Sequence, residues 1–300
     1  MIHRLACRPL CSVIRANETR FRHPGGSRGP ERYTTTRFGS ELRKEPTQYN
    51  AAVDRLLEAT SRAERDHFWF RGFRQFVTPL LKQAAGGRPG LKLLDCGCGT
   101  GGNLGLLGEY GRAWGFDLTW SGLAIARRRC LERVARASVA AVPFPDATFD
   151  ILTSFDVLYC LETLVERAAV AEMYRLLKPG GSLIVNVAAM DILRGNHSVL
   201  SAELRRYSRA SLRALLEQAG FAVEHISYTN ASLFPVTLAV RLAQRVAGLA
   251  AEEDALGEIS VPPAPVNAVL SAVLSVEAQV QRVLPVPFGS SLLCLARKPV

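Results

Sequence analysis

Two acids and a run of glycines are the residues of this chain whose types and spacing suggest chemistry most directly. Asp95 ends a short apolar run, and Asp117 follows it 22 residues later. The loop between them contains Gly97, Gly99, Gly101 and Gly102. Glycine lets a backbone turn tightly and approach a ligand that any Cβ atom would exclude, and an acid at the end of the next strand can accept both hydroxyls of a ribose. The pattern therefore predicts a site for a ribose-bearing ligand.

These residues can meet only if a parallel sheet brings the ends of successive strands to one edge. Apolar runs over 91–95, 113–116 and 149–155 predict buried strands, the last covered on both faces. A helix predicted over 103–108 would direct its free N–H groups towards the same edge. The remaining pattern predicts helices over 120–135, 162–177 and 211–219, and strands over 182–187, 222–228 and 292–296.

The glycine loop alone admits more than one class of ligand. Gly97, Gly99 and Gly102 also satisfy G-x-G-x-x-G, the fingerprint of dinucleotide-binding domains, so an NAD-dependent oxidoreductase is an alternative hypothesis. That hypothesis accounts for the loop and for Asp117. It does not account for the acid at Asp95 or for the sequence LKPGG at 177–181.

Three stretches together are similar to one family. Asp95 followed by G-x-G-x-G, the sequence VAAVPFPDATFD at 139–150 and the turn LLKPGG at 176–181 resemble the class I S-adenosylmethionine-dependent methyltransferases of the type 11 domain family. The resemblance covers 91–228 well, and 50–84 and 285–298 more loosely. The N-terminal part is similar to a bacterial group associated with the cell envelope.

The resemblance implies both a fold and a cofactor. The fold is α/β, a doubly wound, mostly parallel seven-stranded sheet with an antiparallel last strand and a helical insertion before that strand. Residues 139–150 would supply the third strand and the loop after it. The cofactor is S-adenosylmethionine, and eight residues match the family's binding positions: Asp95, Gly97, Gly99, Gly101, Asp117, Leu118, Ser138 and Asp156. Ser138 stands where the family commonly has an acid that bonds the adenine amino group.

The candidate catalytic residues are His197 and Tyr207. Relatives show a histidine followed some nine residues later by R-R-Y, as this chain does. His197, with a pKa near neutral, could take a proton from an acceptor hydroxyl. The expected reaction is an in-line displacement in which proximity and orientation supply most of the acceleration, and a base is needed only if the nucleophile starts protonated. A methyltransferase fold without catalysis, acting as an interaction protein, is a second alternative.

The acceptor is expected to be a small molecule or a lipid-linked molecule. Residues 233–250 carry an apolar face with Arg241 and Arg245 opposite, which suits contact with a membrane surface. The competing interpretation is that the helices of the insertion pack on each other, over the active site or in a homodimer interface. No segment is long and apolar enough to predict a membrane-spanning helix.

Composition narrows the class of protein and its compartment. The net charge is +10, but residues 1–48 hold ten basic and four acidic residues, so +6 of it belongs to that segment and nucleic-acid binding is not predicted. Seven cysteines without a disulfide framework indicate a reducing compartment, and Cys96-x-Cys98 lacks the second ligand pair of a zinc site. We expect a cytoplasmic enzyme without a metal. Membrane association remains open, as does an organelle, should the Arg-rich segment 1–48 be a transit peptide.

The domain prediction follows from these points. Residues 1–48 are expected to be a disordered basic extension, and 49–300 a methyltransferase domain. Within that domain we predict a helical lid at 49–85 and a cofactor-binding core at 91–228. A helical insertion at 231–288 and the last strand at 291–298 follow.

Overall fold

The structure is a computed structural model that describes residues 48–129, 131–196, 198, 201–248, 259–284 and 286–300. The chain divides into two units, Met1–Glu45 and Pro46–Val300, and all described residues belong to the second. The predicted disorder of 1–48 therefore lies outside the described residues, apart from Gln48, which begins the first helix.

A seven-stranded sheet forms the centre of the second unit, in the order β3-β2-β1-β4-β5-β7-β6. Neighbouring strands from β3 to β5 pair in parallel, whereas β7 runs antiparallel to both β5 and β6. This is the predicted fold class, including the antiparallel last strand. The strands are β1 (Leu91–Cys96), β2 (Gly111–Asp117), β3 (Val134–Arg136), β4 (Phe149–Phe155), β5 (Leu177–Ala188), β6 (Ala222–Thr229) and β7 (Ser291–Arg297).

Helices cover both faces of the sheet, and the alternation of side chains along each strand divides the core in two. Leu93 and Ile151 face one hydrophobic cluster, while Leu94 and Leu152 face the other. Such near-continuous apolar strands are expected where helices bury both faces. The helices are α1 (Gln48–Ala63), α2 (Phe68–Ala85), α3 (Leu104–Gly108), α4 (Trp120–Arg128), α5 (Thr163–Leu176), α6 (Arg209–Gln218), α7 (Phe234–Ala247) and α8 (Ala264–Val280).

Several predicted boundaries were wrong. The helix predicted over 120–135 ends at Arg128, and β3 occupies 134–136 instead of beginning at 139. β3 is a three-residue edge strand, too short to show a period of its own. β5 begins at Leu177, five residues early, because Leu177 already pairs with Phe149, and the ladder shifts register between Phe149 and Ile151.

The insertion before β7 contributes α7 and α8, and α8 packs on α2. Gly72 makes this packing close, since a Cβ atom there would lie 2.5 Å from Leu274 Cδ1. The Asn267 side chain fixes the N-terminal end of α2: its Oδ1 accepts from the Phe68 N–H at 2.8 Å, and its Nδ2 donates to the Asp66 carbonyl at 2.8 Å. In the part of the chain that the structure describes, no helix combines the length and hydrophobicity needed to cross a bilayer.

Candidate functional site

The carboxyl ends of β1 and β4 meet where the strand order reverses, which is where ligands bind in open α/β sheets. The loop after β1 turns through Gly97, Gly99 and Gly101, whose φ angles of 82°, 49° and 75° lie in the left-handed region. The Gly97 and Cys98 N–H groups donate to the Phe116 carbonyl at 2.9 Å, which ties the loop to β2. A Cβ atom on Gly97 would overlap Val157 Cγ2, so both the turn and the packing require glycine there.

Asp117 joins the end of β2 to this glycine loop. Its Oδ2 accepts from the Gly99 N–H at 2.8 Å, and its Oδ1 accepts from the N–H and the hydroxyl of Thr119 at 2.8 and 2.6 Å. The carboxylate is only half-buried, and a carboxylate offers about four lone-pair sites, so it retains capacity for a ligand. Leu118, the next residue, is 51% exposed, an apolar side chain left open beside an acid.

Asp95 lies beneath the glycine loop and is buried. Its Oδ1 accepts from the Thr153 hydroxyl at 2.7 Å, across the β1–β4 pair. Burial raises the pKa of Asp95 to about 7; the Thr153 hydrogen bond opposes this shift and the nearby Asp117 charge adds to it. Asp95 is thus a carboxyl group poised to change its charge near neutral pH.

Asp156 follows β4 and faces solvent, in contrast to the buried Phe155 before it. Its φ of 61° is left-handed, which is unusual for a residue with a Cβ atom. The Asn186 Nδ2 donates to its Oδ1 at 2.9 Å. The protein packed around it raises the pKa of Asp156 to about 7; Asn186 opposes the shift and Glu203 adds to it.

Ser138 follows β3 at the same edge. The Ala137 N–H donates to the Asp117 carbonyl at 3.1 Å, so Ser138 lies one residue from the Asp117 loop. Its Oγ accepts from the Ala140 N–H at 3.3 Å. The structure therefore brings seven predicted cofactor residues around two connected loops, with Asp156 on the β4 side.

The segment directly after α1, in the region predicted to be a lid, reaches the glycine loop through Glu64, a residue that the sequence analysis did not single out. Glu64 is buried and its Oε2 accepts from the Thr100 hydroxyl at 2.7 Å. Its other oxygen pairs with Arg129 at the end of α4. Because Thr100 lies between Gly99 and Gly101, this carboxylate connects the end of α1 to the turn of the loop. No local pattern in the sequence marks such a contact, which spans 36 residues.

His67 has a structural role at the start of α2. It is the N-cap of α2, where its Nδ1 accepts from the Trp69 N–H at 3.1 Å. Its ring stacks on Phe68 with 4.5 Å between centroids, and burial lowers its pKa. Phe68 and Phe70, in the aromatic run that follows, are partly buried against hydrophobic clusters of the domain.

Of the two predicted catalytic residues, His197 lies outside the described residues. The hydroxyl of Tyr207 is buried and donates to the Glu166 carboxylate. Burial and Glu166 both raise the pKa of Tyr207. Arg205 bonds the other oxygen of Glu166 at 2.7 Å. This cluster holds the segment before α6 against α5, so the Tyr207 hydroxyl already has a partner, and its catalytic role stays a prediction.

The described cysteines, among them Cys160, are neutral thiols at pH 7. Burial raises the pKa of Cys160 to about 12, and its Sγ lies 2.9 Å from the Ser201 carbonyl. Cys96, Cys98, Cys160 and Cys294 are free of disulfides. Among the residues that the structure describes, no group of three His, Cys, Asp or Glu side chains is placed to hold a metal ion.

Comparison with known proteins gives this site its context. A family model described as a methyltransferase domain matches residues 94–185, from β1 into β5. A ubiquinone/menaquinone biosynthesis C-methyltransferase UbiE of Shewanella halifaxensis is 29% identical over 186 residues, which covers 49% of this chain and 72% of the relative. The protein of the same name from Laribacter hongkongensis is 39% identical over 111 residues, 34% of this chain and 44% of that relative.

The chain is a class I S-adenosylmethionine-dependent methyltransferase. Its cofactor is S-adenosylmethionine, and the oxidoreductase and non-catalytic hypotheses are set aside. A chain in the complex of the Haloferax volcanii Trm112 methyltransferase activator with a methyltransferase shares the fold, at a TM-score of 0.50 and 20% identity over 81% of this chain and 98% of that chain.

The matched segment of the methyltransferase ends within β5. It contains the glycine loop, Asp117 and Asp156, but not Tyr207 or the helical insertion. The family match therefore concerns the cofactor half of the site, and the acceptor half has to be argued from the contacts of this chain.

Proposed function

We propose that this methyltransferase transfers a methyl group in line to a lipid-linked acceptor, and that the eight predicted residues hold the cofactor. The observation that carries the proposal is the bond between Asp117 and the Gly99 N–H. It brings an acid suited to ribose and a glycine turn suited to close backbone approach into one contact at the switch point.

Within the proposed site the residues divide by position. Asp117 accepts the ribose hydroxyls, while the exposed Leu118 side chain and Ser138 face the adenine. The glycine loop and Asp95 receive the amino-acid end of S-adenosylmethionine. This end carries an ammonium group, and Asp95, with a pKa of about 7, can pair with it as a carboxylate anion. Asp156 lies at the boundary with the acceptor.

The methyl transfer requires few catalytic side chains. When bound, S-adenosylmethionine supplies a methyl group made electrophilic by its sulfonium. The protein has to orient the acceptor along the bond that breaks and to exclude water, and orientation of this kind can supply about 7–11 kcal/mol of the barrier. We propose that α1 and α2, the predicted lid at 49–85, exclude the water, because Glu64 joins α1 to Thr100 in the loop.

The outer face of α7 supports a lipid-linked acceptor. Val236 and Val240 lie one turn apart on this helix and are 66% and 47% exposed. The opposite face is fixed by Arg245, whose Nε donates to the Arg194 carbonyl at 3.0 Å. Exposed valines on a helix tied down from behind suit a membrane surface. The relatives that the chain matches are named for ubiquinone/menaquinone biosynthesis.

A labelled-methyl assay tests the acceptor class. The enzyme is incubated with S-adenosylmethionine carrying a labelled methyl group and either a prenylated hydroquinone in phospholipid vesicles or its non-prenylated parent in water. We expect transfer to the prenylated compound and little to the parent. Equal rates would favour a small-molecule acceptor, and transfer to neither would contradict the proposal.

Vesicle sedimentation tests the membrane contact by itself. Val240→Glu should lower co-sedimentation with anionic vesicles without changing the far-ultraviolet circular dichroism. Leu164→Glu is the matched control, because Leu164 is 76% exposed on α5 and outside the proposed surface. A dimer that dissociates in Val240→Glu, without any vesicle binding by the wild type, would instead support the homodimer interpretation.

A further inference from the structure

Asp156 occupies a position from which a side chain can meet both halves of the site. Its neighbour Val157 packs where Gly97 has no Cβ atom, so the residues after β4 lie directly against the glycine loop. The left-handed backbone at Asp156 is unfavourable for a residue with a Cβ atom, and such conformations cluster at functional sites. Asp156 is exposed as a residue although Phe155 before it is buried, while the protein around its carboxyl group desolvates that group and raises its pKa.

Asn186 on β5 holds this carboxylate through two bonds. The Asp156 N–H donates to the Asn186 carbonyl at 3.0 Å, and the Asn186 Nδ2 donates to Asp156 Oδ1 at 2.9 Å. Asn186 is buried, and its own Oδ1 has no hydrogen-bond partner in the described structure. No described residue donates to the second oxygen, Oδ2. One oxygen is therefore fixed by Asn186, and the other keeps its capacity to accept a proton.

We propose that Asp156 is the general base of the methyl transfer and that Asn186 is its positioning residue. As the acceptor's nucleophilic atom bonds to the methyl carbon, the carbon–sulfur bond breaks and sulfur keeps its electron pair. The proton that the nucleophile loses goes to Asp156 Oδ2. This inference rests on the proposed function and narrows it: the acceptor is a hydroxyl compound or a hydroquinone ring, whose nucleophile carries a proton before the reaction.

The surrounding charges favour Asp156 as the group that titrates. Glu203, which faces it, is paired with Arg206 at 2.7 Å. Burial raises the pKa of Tyr159 and raises that of Cys160 to about 12, so both stay neutral at pH 7. The pKa of Asp156 is about 7, near the value at which a general base is most effective. Asp95 has a similar pKa, but it is buried and bonded to Thr153.

The test compares Asp156→Asn with the wild type on two phenolic acceptors, a prenylated hydroquinone that is protonated at pH 7 and a halogenated analogue that is already ionised. General-base catalysis is worth about 100-fold or more, so we expect Asp156→Asn to lower kcat by about that factor on the protonated acceptor and to restore most of it on the ionised one. In the wild type, kcat should rise with pH through an inflection near 7, which the variant should lack. Asn186→Ala should move that inflection without abolishing it.

Several results would overturn the assignment. They are an equal loss on both acceptors, a loss of S-adenosylmethionine affinity with unchanged kcat, or an inflection that His197→Gln removes and Asp156→Asn leaves. Asp191→Asn, an exposed carboxylate paired with Arg194, is the matched control and should keep the wild-type profile.

A direct titration separates this inference from the proposed function. Difference infrared spectra of wild type against Asp156→Asn report the carboxyl group without any acceptor. A midpoint near pH 7 supports the base assignment, even if neither acceptor is methylated and the proposed acceptor class fails. A midpoint near 4, the ordinary value of an aspartate, contradicts the assignment even if methyl transfer succeeds.

Discussion

Asp95→Asn should make the free enzyme more stable, by an amount that grows as the pH rises from about 4 to about 7. Burial raises the pKa of Asp95 from an ordinary 3.8 to about 7. Between these values the unfolded chain carries an ionised Asp95 and the folded chain a protonated one, so folding takes up a proton and the free energy of unfolding falls as the pH rises. A tenfold change in proton affinity is worth about 1.4 kcal/mol, so the fall amounts to about 4 kcal/mol at most.

Urea unfolding at pH 5 and pH 8 measures this effect. At pH 5, about one unit above the ordinary pKa of an aspartate, the variant should already be more stable by about 1.5 kcal/mol, whereas at pH 8 it should be more stable by up to about 4 kcal/mol. Asp156 also has a pKa raised to about 7, and it contributes the same pH dependence of the free energy of unfolding to both proteins. Asp150→Asn is the control of opposite sign, since Lys178 and the Lys92 N–H lower the pKa of Asp150. An Asp95→Asn variant that is less stable at pH 8 would refute the reasoning.

Three further substitutions test the loop, the lid and the acceptor side. Gly97→Ala should weaken S-adenosylmethionine binding and lower stability by about 1–3 kcal/mol, because the added methyl group meets Val157 at a left-handed turn. The control Gly105→Ala, which has open space around its Cβ position, should be neutral or stabilising. Calorimetry measures the binding of both variants, and urea unfolding measures their stability. Glu64→Ala should lower stability by about 2 kcal/mol, a value reduced for the partial exposure of Arg129 to solvent. Glu64→Gln should restore much of this stability, because glutamine can still accept the Thr100 hydrogen bond. Equal losses in the two variants would contradict a stabilising role for that hydrogen bond. Tyr207→Phe should lower stability by about 1.5–3 kcal/mol, because it loses a hydrogen bond to a carboxylate, while kcat stays within about tenfold of wild type. A 100-fold loss of kcat at unchanged stability would restore the catalytic role predicted from sequence.

The cofactor half of the fold could be predicted from sequence because its signals are local. A buried apolar strand, a glycine turn and an acid at the next strand end each leave a mark within a few residues, and β1, Asp95 and Asp117 lie where those marks indicated. The antiparallel β7 has no such local mark. It was expected from resemblance alone, and the register of β7 with β5 and β6 confirms it.

The misplaced elements lacked a period long enough to read. β3 has three residues and, among the described strands, pairs only with β2, so the helical pattern before it appeared to continue through 135. The start of β5 was hidden by the turn sequence LKPGG, which the sheet nevertheless takes up as strand from Leu177.

The contacts that organise the site across the chain could not be predicted. Glu64 and Thr100 are 36 residues apart, and Asn186 reaches Asp156 across 30 residues. Each pair forms only because two loops emerge at one edge of the sheet, and neither Glu64 nor Asn186 belongs to a motif. The acceptor half depends on contacts of this kind, which is why sequence proposed residues there but could not show their partners.

Calorimetric titration of wild type and Asp117→Ala with S-adenosylmethionine tests the central claim most directly. Hydrogen bonds to a charged group contribute about 1.5–3 kcal/mol each, so losing two ribose contacts should weaken binding by about 100-fold or more. Asp146→Ala, an exposed carboxylate remote from the glycine loop in the sequence, should bind as the wild type does. If Asp117→Ala keeps the affinity of the wild type, the ribose is not held at the end of β2 and the account of this site is wrong.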